Sequence, residues 1–434
     1  MHIFFSGIGG TAIGPLAMIA KQAGYDVSGS DKQDSQYIQY LKQHGIENIH
    51  IGQSYEQIAQ VHQLKPIDWF VYSSAVTIEN TDAPELHFCQ ENNIKTSKRD
   101  ELLNQIIKDK NLKLIAIAGT HGKTTTTAMA VWLFKQLQVP ISYSVGAKIS
   151  FGEMGQFVPG SEYFIYEADE FDHNFLAFKP YLSVITGVDW DHHEIFPTRG
   201  DYEQAFRDFI SQSQWTITWK SDVKRLKLPT ADNLLVLDDS DQALQAVKLL
   251  GNVNRRDAWQ VMHAAHEITK QPVSNLFEHM NRFPGLNRRF ERITEGLYSD
   301  YAHTEGKIRG CLQMASEASQ NVVVIYEPLT DRRQHYIKDA YNDLFQGVKK
   351  LYWVPSYLAR EDPNQHILTP IELIEHMDNQ EIAEPAELTG SLKTAIQAHL
   401  KAGDLVVAMS GGGGGSLDEW LRKEFKPTSV ALYP

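Results

Sequence analysis

The segment Gly119-Thr120-His121-Gly122-Lys123-Thr124-Thr125 constrains this chain more than any other. An apolar run, Leu114 to Ala118, precedes it, and a helical apolar pattern through Met129, Val131 and Leu133 follows it. A strand that enters a helix through such a turn presents several backbone N–H donors to one point, and glycines let that backbone come close to an anion. Phosphate oxygens suit this arrangement. Lys123 adds a point charge for terminal phosphates, and the Thr124 hydroxyl can hold Mg²⁺. The spacing is shorter than the common G-x-x-x-x-G-K-[ST] form. The alternative is a glycine-bearing turn that binds nothing.

Two further strands bear on the same loop. Tyr163 to Tyr166 ends in Glu167-Ala168-Asp169-Glu170, and Leu182 to Thr186 leads to Asp189-Trp190-Asp191-His192-His193. Strand ends in an open α/β sheet share one crevice, so Glu167 is placed to ligate Mg²⁺ and His192 to serve a second metal or a substrate phosphate. A solvated acidic loop and an exposed histidine pair are the competing readings.

The amino end carries a second glycine turn. Ile3 to Phe5 leads into Gly7-Ile8-Gly9-Gly10, a helical pattern follows, and the next strand ends at Asp31. That order suits a nucleotide diphosphate and its ribose. Taken alone it also fits an NAD-dependent oxidoreductase, a reading that leaves Lys123 and its turn unexplained. A strand at Trp69 to Tyr72 ends in Ser73-Ser74-Ala75.

The 434 residues suggest about three domains at roughly 150 residues each. The limits expected are 1–107, 108–280 and 281–434, all α/β, because strands alternate with helices throughout. The third segment shows strands around 297–300, 321–326, 350–354 and 405–409. The run Gly411 to Gly415 is read as a strand-to-helix turn rather than a linker.

Charge and cysteine content exclude several classes. The net charge of −13 repels nucleic acid and anionic membranes. Two cysteines, Cys89 and Cys311, exclude a disulfide framework and lack the spacing of a structural zinc site. No apolar run is long enough for a spanning helix, and the amino end does not read as a signal peptide. A cytoplasmic protein is expected, as monomer or homodimer.

Together with Arg288-Arg289-Phe290 and Asp300-Tyr301-Ala302-His303, these motifs occur in the order seen in Mur ligases. The chain resembles that family over nearly its whole length, and most resembles the branch that acts on UDP-N-acetylmuramate and L-alanine. The resemblance implies a Rossmann-like UDP-sugar domain, a central ATPase domain of P-loop type with a parallel sheet, and a Rossmann-like carboxy-terminal domain that brings the amino acid. It implies ATP, with one or two Mg²⁺ ions, as the means of activating the lactyl carboxylate as an acyl phosphate, which an amine then captures.

Carried onto this sequence, the resemblance assigns Gly119, Thr120, His121, Gly122, Lys123, Thr124, Thr125, Asn254, Arg289 and Asp300 to ATP. It assigns Thr124, Glu167 and His192 to metal, with Lys123, Glu167 and His192 catalytic. Gly7, Gly9, Gly10, Asp31, Ser73 and Ser74 line the UDP site, and His303 and Arg333 lie on the amino-acid side. Val253 and Asp257 stand where the family motif has histidine and asparagine, and Thr304 follows His303 where a second histidine is usual. Glu327-Pro328 and Met409-Ser410 are more like the relative that attaches a whole L-alanyl-γ-D-glutamyl-diamino acid. A non-catalytic UDP-sugar or ATP sensor is the reading from the binding class.

Overall fold

The computed structural model describes residues 1–11, 13–73, 76, 83–192, 195–359 and 361–425. They form two compact units, 1–246 with 257–280, and 247–256 with 281 onward. Among the described residues no helix is long and apolar enough to cross a membrane.

The first unit holds two sheets. In the first, β1 (His2–Ser6), β2 (Asp26–Asp31), β3 (Ile49–Ile51), β4 (Trp69–Tyr72) and β5 (Lys95–Lys98) are all parallel in the order β3-β2-β1-β4-β5. The order reverses between β1 and β4, and the crevice at such a reversal is where open α/β sheets take ligands. The helix Ile13–Gln22 follows the glycine turn and buries Leu16, Ala17 and Ile19.

The second sheet comprises β6 (Lys113–Ala118), β7 (Ile141–Ser144), β8 (Gly155–Gln156), β9 (Tyr163–Glu167), β10 (Leu182–Ile185), β11 (Trp215–Trp219) and β12 (Leu234–Leu237). Its order is β12-β11-β10-β6-β9-β7-β8. Only the β7–β8 pair is antiparallel. β6 is central and apolar on both faces, as a buried parallel strand must be. One apolar cluster runs from Ile3, Leu16 and Ile19 through Leu103 to Tyr166 and Phe175. The two sheets of this unit therefore share a core.

The second unit is built on β13 (Glu291–Thr294), β14 (Leu297–Asp300), β15 (Val322–Glu327), β16 (Lys350–Trp353), β17 (Ala383–Pro385) and β18 (Leu405–Ser410), in the order β13-β14-β18-β15-β16-β17. Along β15, Val322, Val324 and Tyr326 enter one apolar cluster while Val323 and Ile325 enter another. Alternate side chains thus fill the cores on opposite faces of the sheet. The glycines after β18 form the turn into the helix Leu417–Glu424, as the sequence pattern predicts.

Candidate active site

The phosphate loop leaves β6 and enters the helix Lys123–Gln136. Two of its glycines are dictated by backbone and space. Gly119 has φ +147°, and a Cβ there would lie 2.2 Å from Thr186 Oγ1. Gly122 has φ +82°, and a Cβ there would lie 2.7 Å from Asp257 Oδ2. Both conformations favour glycine, and both places lack room for a side chain. Thr120 N–H donates to Gly187 O at 2.8 Å, and Thr186 Oγ1 donates to His121 O. The loop is therefore braced against the end of β10.

Lys123 does not point into solvent. Its Nζ donates to Gly119 O at 2.6 Å and to Glu170 Oε2 at 2.6 Å. Glu170 is wholly buried, and its other oxygen accepts from Tyr202 OH at 3.1 Å. Tyr202 OH lies 2.8 Å from Thr120 Oγ1. Burial by itself would lower the Lys123 pKa, but the charges of Glu170, Asp169 and Glu167 outweigh it and hold the ammonium above its usual range. The lysine is positive at any ordinary pH.

β9 lies beside β6, so Glu167 ends next to the loop. Its Oε1 accepts from Thr124 Oγ1 at 2.8 Å, and its Oε2 accepts from Gly146 N–H at 3.0 Å. β10 flanks β6 on the other side and leads to His192, whose Nε2 lies 3.8 Å from Glu170 Oε1. Three adjacent strand ends thus gather Lys123, Thr124, Glu167 and His192, with Thr125 next on the helix. Among the described residues no group of three or more His, Cys, Asp or Glu side chains is arranged to hold a metal ion by itself. Mg²⁺ keeps water and phosphate oxygens and needs only one or two protein ligands. The Thr124 hydroxyl and Glu167 carboxylate fit that demand.

In the first sheet, Gly9 N–H donates to Asp31 Oδ2 at 2.8 Å and Gly10 N–H to Gly7 O at 3.0 Å. Ser73 Oγ lies 3.7 Å from the Cβ position of Gly7. Gly7, Gly9, Gly10, Asp31 and Ser73 therefore meet at the crevice between β1 and β4, while Ser74 lies outside the described residues. Beneath them sits Glu85, fully buried, accepting from Ser6 Oγ at 2.5 Å. Burial pushes its pKa up to about 7, offset in part by the hydroxyls of Ser30 and Ser6, while Asp31 adds to the rise. An unfolded glutamate titrates near 4.5. Between those values the folded chain keeps a proton that the unfolded chain has lost, so stability falls as pH rises through that window. Glu85→Gln is expected to remove this slope. Urea unfolding at pH 5 and pH 8 would show the native chain losing ~2–3 kcal/mol relative to the variant. Parallel pH profiles for the two would contradict a neutral Glu85.

Asn254, Arg289, Asp300, His303 and Arg333 belong to the second unit. Asn254 Nδ2 donates to Leu250 O at 2.8 Å. Asp300 accepts backbone N–H bonds from Phe290 at 2.7 Å and Ala302 at 2.8 Å, and so ties the 288–290 turn to β14. Burial raises its pKa against the opposing charge of Arg289. Arg288 and Arg289 both lie over the Tyr301 ring, at 4.7 and 5.0 Å. His303 Nδ1 lies 2.7 Å from Tyr301 O. Burial, then Lys307 and Arg333, hold its imidazole well below the usual range and hence neutral. Arg333 Nη1 is buried with no hydrogen-bond partner among the described residues.

Sequence reasoning did not single out Tyr202, Arg99 or the contact of Asp257 with Gly122. Tyr202 and Arg99 sit in no local motif, and the approach of Asp257 to Gly122 is made by tertiary packing.

The loop, its lysine and the adjoining carboxylate define a phosphate-loop protein of the α/β class. Residues 2–111 match the Mur ligase family, catalytic domain, and residues 117–249 match the Mur ligase middle domain. The chain is 30% identical over 394 residues to the UDP-N-acetylmuramate–L-alanine ligase of Clostridium acetobutylicum, covering 83% of this chain and 84% of that one. It belongs to the Mur ligase family. The UDP-N-acetylmuramate-alanine ligase of Thermotoga maritima has the same fold, with a TM-score of 0.71 at 22% identity and 98% of each chain covered. So does a murein peptide ligase of Psychrobacter arcticus, with a TM-score of 0.64 at 20% identity, covering 99% of this chain and 100% of that one.

Proposed function

We propose that this chain is an ATP-dependent ligase that joins L-alanine to the lactyl carboxylate of UDP-N-acetylmuramate, in peptidoglycan precursor synthesis in the cytoplasm. The observation that carries this reading is the meeting of Lys123, Thr124 and Glu167, with Glu167 on a small cavity that is also lined by Thr11, just after the first sheet's glycine turn. Three functional domains, 1–107, 108–280 and 281–434, divide the work: UDP-sugar binding, ATP chemistry and amino-acid delivery.

A carboxylate is a poor electrophile. Its oxygen attacks the γ-phosphorus of ATP, ADP leaves, and the acyl phosphate so formed is attacked by the amine nitrogen. Phosphate departs, and the nitrogen gives up a proton. Lys123 and the loop N–H groups hold the phosphates and stabilise the charge that develops on the moving phosphoryl group. Thr124 and Glu167 would hold Mg²⁺, which when bound neutralises phosphate charge. His192 would serve a second metal ion near the substrate carboxylate. Gly7, Gly9, Gly10, Asp31 and Ser73 hold the UDP portion. Arg289 and Asp300 act toward ATP, and His303 and Arg333 toward the amine substrate. A planar arginine fork pairs well with that substrate's own carboxylate.

The test is phosphate release with UDP-N-acetylmuramate and ATP, adding L-alanine or L-alanyl-γ-D-glutamyl-diamino acid in turn. Release that depends on L-alanine is expected. Release with the tripeptide alone would move the chain to the peptide-attaching branch. Tight nucleotide binding without amine-dependent release would make it a sensor.

A further inference from the structure

Arg99 opens the helix Arg99–Asp109, directly after β5 of the first sheet. Its guanidinium reaches across to the end of β9 in the second sheet of the same unit. Nη2 lies 3.5 Å from Asp169 Oδ2, and Nε lies 3.6 Å from Asp100 Oδ1. Both distances are long for charge-assisted bonds, which settle near 2.7–2.9 Å. A guanidinium carries five N–H donors in a planar fork, so most of this fork's capacity is not committed to Asp169 or Asp100.

Arg99 lines a cavity of about 170 Å³. Thr11, next to the glycine turn, forms one side, and Glu167 and Gly146, next to Thr124, form another. Leu16, Ile19 and Leu103 supply apolar wall. The cavity has room for a short acid side arm. Among its described lining residues Arg99 is the only cation, and it faces the acids Glu167 and Asp169. The neighbouring cation, Lys98, is tied to Asp172. An anion entering here meets two carboxylates, and Arg99 is the positive side chain on the described lining that can attract it.

We propose that Arg99 binds the lactyl carboxylate of the acid substrate and aims it at the phosphate loop. The proposal rests on the UDP-N-acetylmuramate reading above and assigns a residue to its reacting end. Nucleotide held at the glycine turn and carboxylate held at Arg99 would fix both ends of the acid, leaving the carboxylate beside Glu167 and Thr124. Fixing a reacting group in this way removes freedom it would otherwise have to lose at the transition state.

The experiment is calorimetric titration, without ATP, of the native chain and Arg99→Gln with two ligands: UDP-N-acetylmuramate, and UDP-N-acetylglucosamine, which lacks the lactyl ether. The native chain is expected to prefer the acid-bearing ligand. In Arg99→Gln that preference should fall by about tenfold or more, the usual worth of a charge-assisted pair, while binding of UDP-N-acetylglucosamine stays unchanged. Equal weakening of both ligands would make Arg99 a structural brace and overturn the proposal, as would an unaltered preference. If Arg99→Gln fails to fold, Arg99→Lys carries the same comparison. It keeps the charge and loses the fork, so a smaller fall in preference is expected and no fall overturns the proposal. A native chain that binds neither ligand would instead overturn the UDP-sugar reading itself.

Discussion

Replacing Lys123 by alanine is expected to lower amine-dependent phosphate release by about a thousandfold or more, on the scale of losing a group that stabilises transition-state charge. The ammonium sits against the loop, on Gly119 O and Glu170 Oε2, and nothing else in the loop carries a full positive charge. The variant also has a folding consequence. Glu170 is wholly buried and shares its two oxygens between Lys123 and Tyr202. Removing the lysine leaves that carboxylate unpaired, a change that costs about 3–5 kcal/mol in buried pairs. Lys123→Ala alone should therefore melt earlier. Lys123→Ala combined with Glu170→Gln should recover much of the melting temperature and none of the turnover. Circular dichroism melts beside a phosphate-release assay separate the two effects. Turnover that survives in the double variant would remove Lys123 from the chemistry.

Glu167→Gln is expected to reduce turnover by about a hundredfold or more and to raise the Mg²⁺ concentration needed for half-maximal rate, because the proposed Mg²⁺ site loses its one carboxylate. The substitution keeps the shape of the side chain. Its amide oxygen can accept from Gly146 N–H while its NH2 donates to the Thr124 hydroxyl, but it loses the charge. Fold and nucleotide-free stability should stay close to native. Phosphate release measured across a Mg²⁺ series reads the change directly. A rate loss with an unmoved Mg²⁺ midpoint would assign Glu167 to shaping the Gly146 backbone instead.

Local chemistry made the phosphate loop legible in the sequence. A strand, two glycines, a lysine and a threonine lie within a dozen residues, and each has its own physical demand. Glu167 was legible because it closes a strand and strand ends face the crevice. The three-sheet α/β architecture followed from alternation of apolar strands and amphipathic helices. Short or polar strands were harder to read: Ile141–Ser144 alternates over only four residues, and Gly155–Gln156 has two. Residues whose position depends on distant packing left no local signal. Tyr202 reaches Glu170 from the helix Arg199–Gln212, Asp257 reaches Gly122 from the helix Asn252–Thr269, and Arg99 reaches β9 from the first sheet. The assignment of Asp300 to ATP rests on the family motif alone. In the fold its two oxygens accept backbone donors from Phe290 and Ala302.

The resting contact between Lys123 and Glu170 has a bearing on selectivity. An arriving phosphate does not find a bare cation; it must trade places with a resident acid, or share the ammonium with it. A lone inorganic anion gains little from such an exchange. On the role proposed for the loop, a polyphosphate tail that also meets loop N–H groups other than that of Thr120, which Gly187 O already holds, would gain more. On the role proposed for Lys123, the buried Glu170 would set a threshold that small anions meet poorly.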